Sequence, residues 1–118
     1  MHAISAHGME EILKPLKREI HLFDTYIAGT SHVEDQTLFD ALKAGDPLSL
    51  RREQNKYDER AIVILNAAKQ KLGYVPEKDN LIFSRLMDAG KMLTARVRSV
   101  QKKRGFVQVD IGIYLVDF

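Results

Sequence analysis

Cysteine is absent from this chain of 118 residues. Disulfides, thiolate zinc sites, iron–sulfur clusters and thiol nucleophiles are thereby excluded together, and the expected setting is a reducing one, the cytoplasm. No apolar run approaches the roughly 20 residues that cross a bilayer as a helix, so no membrane partner is expected. Residues 1–8, Met1-His2-Ala3-Ile4-Ser5-Ala6-His7-Gly8, have neither the basic nor the apolar stretch of a signal peptide and are expected to be loose. An excess of one charge is lacking too. Eighteen Lys and Arg against 16 Asp and Glu leave a net charge of +2, which neither announces a polyanion binder nor excludes a local basic face.

What is present suffices for one folded unit. Apolar residues make up 45% of the chain and charged residues 29%, enough for an ordinary core and too apolar for a disordered chain. No internal repeat or low-complexity linker divides it, so a single domain is expected over residues 9–118. Met9, Ile12, Leu13, Leu16 and Ile20 have helical spacing, interrupted by Pro15, and predict a helical segment at the N-terminal end. Residues 21–28 are aromatic and β-branched and predict a strand. Residues 37–43 predict one or two helical turns ahead of a Gly45-Asp46 turn. Pro47 to Arg52 predicts a strand, Glu53 to Arg60 a polar loop, and Ala61 to Leu65 a strand buried on both faces.

Lys71 to Val75 returns as the partner of that strand, and Pro76 can open a helix. Ile82, Arg85, Leu86 and Ala89 mark the expected inward stripe of that helix, and Gly90 suits its C-terminal cap. Beyond it, Leu93, Ala95, Val97 and Ser99 alternate with Thr94, Arg96, Arg98 and Val100. After a turn at Lys102 to Gly105, Val107, Val109, Ile111, Ile113 and Leu115 alternate in the same way. The expected fold is mainly β: a small six-stranded antiparallel barrel of OB-like type with one or two packed helices.

Catalytic signals are few. The four histidines have no metal-ligand spacing, no glycine-rich phosphate cradle or nucleophile elbow occurs, and no carboxylates can be paired. The chain is read as a non-enzyme without a cofactor or bound metal. Two segments carry binding chemistry. Arg96, Arg98, Lys102, Lys103 and Arg104 place five positive charges in nine residues with no acid among them, which suits phosphate and equally suits a solubilising hairpin tip that deters edge pairing. The loop Arg51-Arg52-Glu53-Gln54-Asn55-Lys56-Tyr57-Asp58-Glu59-Arg60 offers a stacking ring in Tyr57, an amide in Asn55 and a hydroxyl acceptor in Asp58. Asx turns with a tyrosine packed over the barrel mouth would explain the same residues.

Four blocks resemble the HIRAN domain family when taken in order: Tyr26 to His32, Leu42 to Leu50, Arg52 to Ile62, and Lys71-Leu72-Gly73-Tyr74-Val75-Pro76. The resemblance covers about residues 20–116. It implies a small β-barrel related to the OB-fold. In eukaryotic relatives it implies binding of single-stranded DNA at a free 3′-hydroxyl end. Tyr57 and Asp58 match an aromatic–aspartate pair that contacts the terminal nucleotide there, and Asn55 matches an asparagine ahead of that pair. Ser31 and His32 stand where those relatives carry arginine and tyrosine, Tyr74 where a histidine contacts phosphate, and Glu77 where a lysine does. Those departures remove about two positive charges from the groove that the resemblance implies.

The resulting expectation is a nucleic-acid-binding module for single-stranded DNA with a free 3′-hydroxyl, in a repair or replication setting. Tyr57, His32 and Tyr74 would stack on bases, Asp58 would accept the terminal hydroxyl, and Asn55 and Ser31 count among the nucleic-acid-binding residues. Arg52, Lys56, Arg96 and Arg98 would meet phosphate. The alternative is a protein-interaction module that keeps the barrel, with other proteins of DNA metabolism as partners.

Overall fold

The structure, a computed structural model, describes residues 18–117. The loose stretch expected at residues 1–8 and the helical stripe expected from Met9 to Leu16 lie outside those residues. Ile20, whose spacing completed that stripe, belongs to a strand. Six strands occur in order: β1 (Arg18–Tyr26), β2 (Pro47–Arg52), β3 (Ile62–Leu65), β4 (Lys71–Tyr74), β5 (Met92–Lys103) and β6 (Phe106–Asp117). Helix α1 (Asn80–Asp88) follows a 3-10 turn at Glu77–Asp79, and two further 3-10 turns lie at Thr30–His32 and Gln36–Phe39. None of the described helices is long and apolar enough to cross a membrane.

All neighbouring strands pair antiparallel, in the order β1-β6-β5-β2-β3-β4. The sheet curls into a half-barrel, and one backbone bridge joins its two edges. Ala28, just beyond β1, gives its N–H to the Tyr74 carbonyl at 2.8 Å and accepts the Tyr74 N–H at 2.9 Å. The core fills the concave side with Phe39, Ile62, Ile64, Leu72, Val109, Ile111 and Ile113, all essentially inaccessible to solvent. As its unbroken apolar run requires, β3 is buried on both faces.

Two local expectations change. In α1 the inward face is Asn80, Phe83 and Ser84, with Leu86 and Met87 packed beside them, while Ile82 is 66% exposed. The stripe through Ile82 and Arg85 therefore sits about one residue out of phase, a rotation of roughly 100°. Phe83 joins the core and also meets the ring of Phe23 on β1 at 5.6 Å. The helix stops as its glycine foretold: Lys91 N–H bonds the Leu86 carbonyl and Gly90 N–H the Met87 carbonyl, a Schellman closure with Gly90 at φ +92°. In β5 a bulge between Val97 and Ser99 resets the alternation. Val100, expected on the outer face, packs against the core, and Ser99 donates to Asp110 instead.

Candidate binding groove

The seam where β1 meets β4 shapes a groove. Gly73 stands directly beneath the bridge at φ +149°, and a β-carbon there would lie 2.3 Å from the Ala28 carbonyl oxygen. Only glycine lets the two backbones come this close. Tyr74 divides the groove into two hollows. One, of about 300 Å³, is bounded by Ala28, Asn55, Tyr57, Asp58, Tyr74 and Glu77. The other, of about 250 Å³, is bounded by Gly29, His32, Val33, Glu34, Lys71 and Tyr74.

The loop between β2 and β3 is built around its own polar side chains. Asn55 Oδ1 accepts the backbone N–H groups of Tyr57 and Asp58, each at 2.8 Å. This Asx turn fixes the backbone and leaves the Tyr57 ring 83% exposed. Asn55 Nδ2 donates to Glu53 Oε2, and the Tyr74 hydroxyl donates to the same oxygen at 2.7 Å. The phenol in turn accepts from Lys71 Nζ. These donors, Tyr74 first, hold the Glu53 carboxyl below its ordinary value of 4.5. A depressed folded value means that this tether is complete above the ordinary value and is lost only as pH falls through the lower one.

Asp58 opens into the first hollow with its carboxylate fixed from behind. Oδ1 accepts the Arg60 N–H at 2.9 Å, and Oδ2 accepts Asn80 Nδ2 at 2.8 Å. A carboxylate has about four acceptor positions, so two stay available to a ligand. Asn80 is completely buried, and its Oδ1 finds no partner among the described residues. An orphaned buried acceptor costs about 1–3 kcal/mol, while the amide's other end, Nδ2, is engaged by Asp58.

The other expected site residues divide sharply. Arg52 directs all five of its N–H donors inward: Nε and one terminal nitrogen to the Asp88 carboxylate, the others to the carbonyls of Glu53, Glu59 and Ala61. It clamps the base of the loop and holds no donor in reserve. Arg52→Lys should therefore lower stability by about 1–3 kcal/mol, read as a shifted urea midpoint, because an ammonium cannot span the fork. Arg96 and Arg98 lie on the outer face and do not line either hollow. Arg96 pairs with Glu19 at 2.8 Å and Arg98 with Asp24 at 3.0 Å.

Lys56 extends over the Tyr57 ring at 5.1 Å, and His32 borders the second hollow. Ser31 faces away from both, toward a hollow shared with the β5–β6 hairpin. Two residues of the groove are not among those that the sequence singles out. Asn80 is hidden in a helix start with no sign that its amide turns toward the loop. Glu34 gives no local signal. Among the described residues no group of three or more His, Asp or Glu side chains is arranged to hold a metal.

Known proteins share this fold. A model of the HIRAN domain family matches residues 20–116. A protein from Lactobacillus plantarum, known from a crystal structure, superposes with a TM-score of 0.79 at 24% identity, covering 86% of this chain and 99% of its own. The crystal structure of the HIRAN domain of human HLTF superposes with a TM-score of 0.68 at 13% identity, covering 88% of this chain and 82% of its own. No curated protein matches the chain.

Proposed function

The chain belongs to the HIRAN domain family, and from that premise we propose that it is a non-enzymatic nucleic-acid-binding module whose groove takes the free 3′-hydroxyl end of single-stranded DNA. The observation that carries the reading is the pairing of an outward Tyr57 ring with a back-supported Asp58 carboxylate in one hollow. The terminal base stacks on Tyr57, with Tyr74 as the opposite wall, at about 1–3 kcal/mol per base. The terminal hydroxyl donates to Asp58, a charge-assisted bond. A terminal phosphate would instead face the carboxylate and be repelled. Recognition of free 3′ ends suits a role in DNA repair or replication.

Fluorescence titration of a short oligonucleotide with a 3′-hydroxyl against the same strand with a 3′-phosphate tests the reading. Clear preference for the hydroxyl supports it; equal affinities overturn end recognition. Tyr57→Ala should weaken binding by about 5- to 150-fold, the equivalent of one lost stack. Its unfolding midpoint should barely move, because an exposed side chain outside the core contributes within about 0.5 kcal/mol.

A second reading draws on the groove's charge. Glu34, Asp58 and Glu77 line the hollows against Lys71 as the only lysine there among the described residues. Carboxylates beside aromatic faces also suit the cationic side chains of a basic peptide. Binding of such a peptide together with indifference to both oligonucleotides would favour a protein-interaction module.

A further inference from the structure

We infer that the tip of the β5–β6 hairpin, Lys102, Lys103 and Arg104, grips the sugar–phosphate backbone of the same single strand upstream of its 3′ end. This rests on the groove's reading as a strand-end site. The groove seats a terminal nucleotide but offers little to the phosphates behind it, since its lining is more acidic than basic. Arg96, Arg98 and Arg52 are already matched to carboxylates. The tip differs. No Asp or Glu occurs between Asp88 and Asp110 in the sequence. Among the described residues Lys103 and Arg104 meet no carboxylate within ion-pairing distance, and Lys102 pairs with Asp40 at 3.1 Å with both side chains more than half exposed, a pair that water leaves weak and a phosphate can replace. Exposed cations concentrated in this way repel one another until a polyanion relieves them.

One short turn stands between the two places. The turn at Thr30–His32 is strapped to β6 by the Thr30 hydroxyl, which donates to the Val107 carbonyl at 2.6 Å. On one flank of that turn Gly29 and His32 border the groove. On the other, Ser31 shares a hollow of about 470 Å³ with Lys102, Lys103 and Gly105. A strand that leaves Asp58 and passes His32 thus arrives at the hairpin tip.

The test compares a trinucleotide with a strand of about 12 nucleotides, a length within the range single-strand grooves cover, both ending in a 3′-hydroxyl. The triple variant Lys102→Gln, Lys103→Gln, Arg104→Gln is measured beside Asp58→Asn, with circular dichroism melting to confirm folding. For the triple variant, the longer strand should bind about tenfold more weakly, and the slope of log affinity against log salt should shrink by about 2, near 0.7 for each phosphate no longer neutralised. Trinucleotide binding should not change. An unaltered slope with the longer strand would overturn the tip's role while leaving the end site in place. If the triple variant weakens the longer strand but Asp58→Asn does not, the tip stands as a backbone surface and end recognition is what fails.

Discussion

Asp58→Asn should lower affinity for a strand with a free 3′-hydroxyl by about 10- to 150-fold, which corresponds to the roughly 1.5–3 kcal/mol of a hydrogen bond to a charged acceptor. The same variant should lose its preference over a 3′-phosphate, because the repelling charge is gone. The fold should survive the change. Asp58 serves Arg60 through one oxygen and Asn80 through the other. An asparagine keeps an acceptor for Arg60 and turns an NH₂ group toward Asn80. The Asn80 amide can then rotate and offer the Oδ1 that now lacks a partner. The variant thus replaces one hydrogen bond by another and removes only the charge. Isothermal titration with both oligonucleotides, together with a thermal melt, checks each part. Unchanged affinity for the 3′-hydroxyl strand would exclude Asp58 from the binding site.

Gly73→Ala should have the largest effect on stability. The added β-carbon meets backbone at 2.3 Å and the Ile27 methyl at 2.6 Å, and the residue would be held at φ +149°, where L side chains are strained. Neither neighbour can withdraw cheaply. The carbonyl belongs to Ala28 in the bridge itself, and Ile27 is part of the core. Overpacking of about 1–3 kcal/mol and backbone strain of a similar size together predict a loss of about 2–6 kcal/mol, read from urea unfolding. Escape from the clash requires the bridge to open, which displaces Tyr74 from Ala28 and merges the two hollows. Binding should therefore fall along with stability, in contrast to Tyr57→Ala, which separates the two. A stability change under about 0.5 kcal/mol would mean that the seam is looser than the geometry implies.

The contrast between Arg52 and Tyr57 shows where sequence reading reaches its limit. Both stand in the same polar loop, and both carry chemistry suited to a nucleotide. Tyr57 is left outward by a local cause, the Asx turn of Asn55 two residues earlier, and such a cause can be read in the sequence. Arg52 is turned inward by Asp88, 36 residues away, and by carbonyls of the returning loop. Nothing local announces that partnership. Arg96 and Arg98 follow the same rule. Strand alternation correctly puts them on the face opposite Leu93, Ala95 and Val97, but it holds no sign that β1 brings Glu19 and Asp24 to that face. The phase of α1 is likewise a tertiary matter, since Phe83 turns into a core built from distant strands.

The sequence by itself determined the strands, their mainly antiparallel order through short loops, the buried β3, the glycine-closed helix and the family. These follow from periods of two, turn chemistry and ordered motifs, all of which act over a few residues. Only the tertiary structure decided which charges are engaged. It closed the half-barrel at Ala28 and Tyr74, brought Asn80 behind Asp58, and matched the expected phosphate ligands Arg52, Arg96 and Arg98 to carboxylates. Among the described residues it left Lys56, Lys103 and Arg104 without a carboxylate partner. The physical reason is range: a side chain's charge and hydrogen bonds are settled by whatever the fold places within a few ångströms, however far away it lies in the chain.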